Sequence, residues 1–337
     1  MSRICVGISG GVDSAVAAAV LLRGGEQVVG TTLLLNDAQC PADAEQVCAS
    51  LGIPFSVLDA RAAFCGAVIE PFVRTYQAGG TPNPCVRCNR TMKFDYLLDW
   101  ALEQGCDAVA TGHYARIEHS GGRWLLRAGD DPSRDQTYFL YALTQHQLAH
   151  TRFPIGELTK AEVRALAESL ALPVAHKKDS QDICFVPGGS YMDFLRARGT
   201  ALTPGRFLDP EGRELGRHSG AEGYTIGQRR GLGLACGAPV YVLRKDGGDV
   251  VVGPESALYT DRVTLRDCNW IALDAPTAPL QAEVCLRYSH RRSRAEIIPT
   301  ADGGALLRFD TPQRAVTPGQ AAVFYDGGYV LGGGTIV

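Results

Sequence analysis

The chain has 337 residues, 45% of them apolar and 20% charged, with a formal net charge of −3. That balance describes an ordinary globular protein of roughly two or three domains and excludes a disordered or fibrous chain. It gives no global attraction to a polyanion, so any nucleic-acid footprint has to be local.

No apolar run reaches the length of a membrane span, and the N-terminus lacks a signal peptide's basic start and cleavage site. A cytoplasmic protein with no membrane partner is expected. An odd count of 11 cysteines without a secretion signal argues against a structural disulfide framework.

In chain order, RICVGI reads as a short strand, Ser14 to Arg23 as a helix, and Gly24-Gly25 as its stop. QVVGTTLLL is the next strand, Ala42 to Leu51 a helix ending at Gly52, and PFSVLD a third strand. Asn89 to Gln104 reads as helical and DAVATG as a strand. This alternation predicts a doubly wound parallel sheet with helices on both faces. Thr159 to Leu172 opens with a capping box, Thr159 and Glu162, and reads as an amphipathic helix.

After about Gly188 helical periodicity fades. Short alternating runs such as PVYVLR, QAEVCLRY and AAVFYDGGYVLGGGTIV predict antiparallel β structure. The expected division is an α/β domain over 1–188, a small central mainly β domain over 189–256, and a C-terminal β-barrel over 257–337.

GISGGVDS, at 7–14, runs a strand directly into a glycine-rich turn and a helix. Consecutive backbone N–H groups, a helix N-terminus and the Ser9 and Ser14 hydroxyls make an anion site there. The Gly-Lys-Ser/Thr ending of the Walker loop is missing, and Asp13 would repel a phosphate unless something offset it. On spacing alone a plain turn, with Asp13 or Ser14 as the helix cap, is nearly as good a reading.

Two further stretches carry chemistry. In GGTPNPCVRCNRTMKF, Cys88 lies near a helix start among Arg87, Arg90 and Lys93, which favours the thiolate. Cys85 and Cys88 would also make half of a zinc site, but no second pair follows at finger spacing. In KKDSQDICFVPGG, Cys184 sits between charged and Gly-Pro segments. Taken alone it reads better as a buried strand cysteine beside Ile183 and Phe185.

SGGVDS after the first strand resembles the pyrophosphate loop of the N-type ATP pyrophosphatases. Together with TPNP and CN around Cys88, ATGHYAR, DQTYFLYAL, DSQDICF, GYTIGQRRGLG and RYSHRR, it resembles the tRNA-specific 2-thiouridylase family over essentially the whole chain. The resemblance implies an adenine-nucleotide-hydrolase-like α/β domain that uses ATP and Mg2+ to adenylate the carbonyl oxygen at carbon 2 of the wobble uridine, position 34 of tRNA. Sulfur then arrives from a persulfide on Cys184, supplied by a sulfur-relay donor protein. Cys88 is the nucleophile, AMP and pyrophosphate are released, and a Cys88–Cys184 disulfide is left to be reduced.

By the same resemblance, Gly7, Ile8, Ser9, Gly10, Gly11, Val12, Asp13, Ser14, Leu33 and Gly112 line the ATP site. Asn83, Pro84 and Cys85 meet the target base. His113, Arg134, Asp135, Gln136, Arg287, Tyr288 and Gln320 fall on tRNA-contact positions. RYSHRRSR, with four arginines and no acid in eight residues, suits phosphate tracking beside a stacking aromatic, although by itself it reads first as a solvated, charged strand face.

One position departs from the family, many of whose members carry aspartate where this chain has Cys85. Three cysteines (Cys85, Cys88 and Cys184) would then be available to hold a 4Fe-4S cluster, an alternative route to the same thiolation. A pyrophosphatase-loop ligase acting on a small metabolite would explain SGGVDS but has no use for paired cysteines. A non-catalytic RNA-binding module would explain RYSHRRSR but not SGGVDS.

Overall fold

The computed structural model describes residues 1–179, 183–186, 188, 190–288 and 290–337. β1 (Arg3–Gly7), β2 (Gln27–Leu34), β3 (Phe55–Asp59) and β4 (Ala108–Ala110) are the apolar, β-branched runs of the first half. They pair in parallel, Ile4 with Val28 and with Ala108. A hairpin, β5 (Ala115–Ser120) and β6 (Arg123–Ala128), separates them from β7 (Thr151–Arg152), which closes a sheet of order β3-β2-β1-β4-β7. The chain therefore reverses its winding between β1 and β4. That switch point opens a crevice at the carboxyl ends of the strands, where ligands bind in such sheets.

Small side chains decide how closely α1 (Val12–Arg23) lies on this sheet. Its Ala15, Ala17 and Ala18 are buried and share a core with Ile4, Val6 and Ile8. The same core holds Ala44 and Val47 of α2 (Ala42–Leu51). α1 begins at Val12 with Gly11 as its cap, two residues earlier than expected, and neither Asp13 nor Ser14 caps it. α3 (Pro84–Cys88) runs on through widened turns at Asn89–Tyr96 into α4 (Leu97–Glu103). α5 (Lys160–Ser169) carries the expected capping box, Thr159 with Glu162.

The second half is antiparallel for the most part. β8 (Gly205–Leu208), β9 (Glu214–His218), β10 (Tyr241–Asp246) and β11 (Asp249–Gly253) form a small sheet over its own core of Phe207, Val242 and Val250. One pairing in it, β8 with β11, is parallel. β12 (Tyr259–Trp270), β13 (Leu280–Cys285), β14 (Ser293–Pro299), β15 (Ala305–Arg314), β16 (Ala321–Asp326) and β17 (Tyr329–Ile336) follow. Pairing of β12 with β17, Leu265 against Ile336, closes these six into a barrel.

The β5–β6 hairpin was not foreseen by the α/β alternation. It leaves the first domain and joins the barrel's sheet, with Arg127 opposite Tyr329. Beneath it runs one continuous core: Phe94, Val109 and Leu126 pack with Ala321, Val323 and Tyr325. The barrel is thus joined to the α/β domain through a shared core. Among the described residues no helix is long and apolar enough to cross a membrane.

Candidate active site

The turn after β1 is held by its own side chains. The Ser14 hydroxyl accepts from the Ser9 backbone N–H (3.1 Å) and donates to the Gly11 carbonyl (3.0 Å), with the Ser9 hydroxyl 3.1 Å away. Gly10 has φ +72, and a Cβ there would press on the Asp43 side chain, so the turn needs glycine. Gly112, just beyond β4, lies against the same turn: a Cβ on it would fall 2.5 Å from the Asp13 carbonyl carbon. Gly7 to Ser14 and Gly112 are therefore brought together at the switch point. Leu33 lies near the end of β2, on the same edge of the sheet.

Asp13 does not stand unopposed in this anion site. The Lys160 ammonium donates to Asp13 Oδ1 at 2.7 Å and lies 2.9 Å from Asp179 Oδ1, and the Tyr114 hydroxyl donates to Asp13 at 2.9 Å. Arg164 and Arg134 complete the pairing around Asp179 (2.9 and 3.1 Å). Burial works to raise the Asp179 carboxyl, but these three cations outweigh it and hold it below its ordinary range. Lys177 donates to the Gly10 carbonyl (2.8 Å) and pairs with Asp43.

The lysine that this loop lacks locally is thus supplied by α5, 147 residues downstream. Sequence reading missed Lys160, Lys177 and Asp179. The one available signal was position: Lys160 is the first residue of a capped helix, and helix N-termini at a strand's carboxyl edge point into the crevice.

Two prolines stiffen the approach to the cysteines. Asn83 caps α3, accepting from the Val86 N–H at 3.3 Å, and Pro84 takes the first helical position, where no N–H is needed. Cys88 is buried, 8% exposed, against Phe64, Phe72 and Phe185. Desolvation pushes its thiol up to about 11; Lys93 pulls the other way, while the charges of Cys184 and Cys85 add to the rise. The expected thiolate-favouring helix start is therefore corrected: in this state burial outweighs the cations, and Cys88 is a protonated thiol.

Cys85 and Cys184 each have an exposed face. Desolvation raises both thiols, against the pull of Lys93, and Cys85 adds to the rise at Cys184. The three sulfurs are close enough to feel one another's charge. Among the described residues, however, no three Cys, His, Asp or Glu side chains converge as a metal requires. Cys85, Cys88 and Cys184 as arranged do not fit a cluster, and no step is derived through one. All eleven cysteines are free thiols.

The remaining candidates divide. His113 is buried against Phe94 and Phe153 and shares a 2.7 Å hydrogen bond with Thr111, and desolvation holds it neutral. Gln136 is committed to the Tyr114 N–H (2.9 Å). Arg287 turns inward to the Ala315 carbonyl (2.8 Å) and the Thr317 hydroxyl. Arg292 stacks on Tyr325 at 3.6 Å and pairs with Asp135 at 3.2 Å.

Of the four arginines in RYSHRRSR, Arg291 and Arg294 are exposed. Tyr288, 46% exposed, packs on Phe139 with ring centres 4.5 Å apart. Asp135, Tyr138, Tyr288 and Arg292 line a cleft of about 340 Å3 between the first domain and the barrel. Gln320 is half-buried, its amide bonded to the Thr81 and Pro82 carbonyls.

Comparison with known proteins bears directly on this arrangement. The family model described as the tRNA methyl transferase HUP domain matches residues 2–188. The tRNA methyl transferase PRC-barrel domain matches 192–254 and the aminomethyltransferase β-barrel domain 260–336. A protein of Magnetococcus marinus named tRNA-specific 2-thiouridylase MnmA is 47% identical, covering 99% of each chain. A protein of the same name from Syntrophotalea carbinolica is 48% identical, covering 99% of this chain and 98% of its own. Among solved structures, a 4-thiouridine synthetase–RNA complex with bound ATP aligns over 58% of this chain and 50% of its own. Its identity is 14% and its TM-score 0.37, too low to carry an argument. Near-full-length identity approaching one half, over three matched domains, is decisive: the chain belongs to the tRNA-specific 2-thiouridylase family.

Proposed function

We propose that this enzyme carries out ATP-dependent 2-thiolation of the wobble uridine, position 34, of tRNA. The observation that carries the reading is the joining of two chemistries at one sheet edge. Lys160 links the phosphate loop, through Asp13, to Asp179, five residues before Cys184, whose charge couples to that of Cys88. A uridine carbonyl is a poor electrophile, and adenylating its oxygen makes that oxygen a leaving group. The loop N–H groups, Lys160 and Lys177 stabilise the departing pyrophosphate.

The terminal sulfur of a persulfide on Cys184 then attacks carbon 2, and AMP leaves with the former carbonyl oxygen. Attack by Cys88 on the inner sulfur of Cys184 frees the new carbon–sulfur group and leaves a Cys88–Cys184 disulfide. A cellular dithiol reduces it. A persulfide is more acidic than a thiol, so the first attack does not need a low-pKa cysteine. Cys88 is needed only afterwards, when bound substrate has changed its surroundings.

Asp13 is the carboxylate at the loop that would hold Mg2+, since Asp179 is already surrounded by Lys160, Arg164 and Arg134. When bound with ATP the ion neutralises phosphate charge. Exposed Arg291, Arg294 and Tyr288 suit the RNA backbone and a stacked base, and exposed Cys184 suits a persulfide donor protein.

The test is a reconstitution. Protein, ATP, Mg2+, a tRNA transcript with a wobble uridine and a persulfide donor should yield 2-thiouridine by mass analysis, with AMP and pyrophosphate formed only when tRNA is present. AMP formation driven by a small metabolite, with tRNA left unmodified, would sink the reading.

A further inference from the structure

Thr81-Pro82-Asn83-Pro84, the loop that delivers Cys85 and Cys88, has an unusual shortage of hydrogen-bond donors. Its two prolines have no N–H, and each restricts the residue before it to extended backbone. An extended loop cannot satisfy its own carbonyls, so partners have to come from elsewhere. Here they come from the barrel. Gln320, at the entrance to β16, donates its amide N–H groups to the Thr81 carbonyl (2.9 Å) and the Pro82 carbonyl (3.3 Å). The Thr81 N–H in turn donates to the Pro318 carbonyl (2.8 Å).

Gly319, with φ +89, allows this approach, since a Cβ there would lie 2.9 Å from the Thr81 oxygen. The barrel segment is itself anchored, because Ile336 donates to the Gln320 carbonyl at 2.8 Å and Arg287 holds Ala315 and Thr317. Tyr138 holds the barrel side of this junction, donating to the carbonyl of Ala321, the residue after Gln320 (3.0 Å).

We propose that Gln320 is a positioning residue for the catalytic cysteines: through the Thr81 and Pro82 carbonyls it sets the loop on which Cys88 is carried. The side chain touches neither sulfur. It acts through the loop and makes the barrel a part of the active site's scaffold. The proposal rests on the thiolation reading for its kinetic arm, but its first measurement does not.

In the free protein, without tRNA or ATP, Gln320→Ala and Gln320→Glu are compared with wild type for alkylation of Cys88 by iodoacetamide, read by peptide mass analysis. Gln320→Glu keeps size and packing but replaces the donor by an acceptor aimed at two carbonyls. Both variants should alkylate Cys88 at least about five-fold faster, consistent with losing a buried loop's hydrogen bonds. Wild-type protection in both variants would overturn the proposal, whatever the enzyme's substrate.

The kinetic arm compares kcat at saturating tRNA with the tRNA Kd. A kcat lowered about ten-fold with Kd within two-fold of wild type is the expected split. A raised Kd with kcat kept would make Gln320 a tRNA contact instead and overturn the positioning role. A melting temperature within a few degrees for Gln320→Glu guards against misfolding.

Discussion

The phosphate loop and the cysteine loop lie at the same edge of the parallel sheet, yet they are held in opposite ways. Ser9, Gly11 and Ser14 bond to one another, so the phosphate loop builds most of its own shape and borrows two ammonium groups, Lys160 on Asp13 and Lys177 on the Gly10 carbonyl. The cysteine loop bonds mainly to another part of the molecule: Gln320 donates to the Thr81 and Pro82 carbonyls, and the Pro318 carbonyl accepts from the Thr81 N–H. A self-built loop stays ready whatever the rest of the molecule does. A borrowed one is correct only when the barrel is docked. On the proposed mechanism, the energetic half of the reaction is thereby preformed, and the sulfur half depends on another domain's engagement.

The sharpest break in that comparison removes the sulfur half alone. Cys88→Ser and Cys184→Ser should each abolish 2-thiouridine, because both thiols take part in one transfer, while tRNA-dependent pyrophosphate release persists. Mass analysis of the wobble nucleoside decides it. Normal thiolation by either variant removes that residue from the mechanism.

The converse break strikes the phosphate loop. Lys160→Met keeps the stem's volume but removes the charge shared by Asp13 and Asp179, and AMP formation should fall about a hundred- to a thousand-fold. Asp13→Ala and Ser14→Ala should also cripple AMP formation, with tRNA affinity nearly unchanged. Cys88 alkylation in the free Lys160→Met protein should stay within about two-fold of wild type, since the two loops are scaffolded separately. A matched change in both readouts would mean that the Cys88 loop, too, is held through Lys160.

These two loops also differ in how far they could be read in advance. A strand, GISGGVDS and a helix are consecutive, so the phosphate site was visible as a motif, as was the alternation that builds its sheet. The capping box at Thr159 was equally local. Lys160 and Asp179 complete the site only through the fold: a capped helix start and the DSQDICF stretch mark them locally, but neither says that the two meet at Asp13.

Cys88 shows the limit most clearly. Its helix position and basic neighbours argue for a thiolate, but the outcome is set by Phe64, Phe72 and Phe185, which arrive from distant parts of the chain. The β5–β6 hairpin was within reach: ARIEHSGGRWLLRA has a Gly-Gly turn between alternating runs. Its destination on the barrel was not.

The patch on the barrel gives a milder break. Arg291→Gln and Arg294→Gln together should weaken tRNA binding by several-fold to about ten-fold and lower the log–log salt slope by about one for each lost phosphate contact. Arg287→Gln should behave differently. Its guanidinium holds Ala315 and Thr317, so its loss should lower the melting temperature while leaving the salt slope close to wild type. Filter binding across a salt series separates the two, and an unchanged slope in the double variant would return the patch to a merely solvated face.

The smallest effect tests the electrostatics of the cysteine loop itself. The Cys88 thiol is pushed up to about 11 by burial, with Cys184 and Cys85 adding to the rise. A raised thiol pKa means that the protonated form is favoured in the folded state. The thiolate fraction, and so the logarithm of the alkylation rate, should therefore climb with unit slope from pH 7 to nearly 11, where an ordinary thiol levels off near about 8.5. Replacing Cys85 by aspartate puts a permanent negative charge beside Cys88, which disfavours its thiolate further and should slow alkylation at pH 9 by about two- to five-fold. Cys85→Ala removes that influence and should speed it slightly. Thiolation by Cys85→Asp should nonetheless remain within about ten-fold of wild type, since the three sulfurs do not converge on a shared metal and Cys85 has only to shape the loop. Complete loss of activity in Cys85→Asp, with Cys88 still titrating as in wild type, would show that the Cys85 sulfur itself takes part in the chemistry.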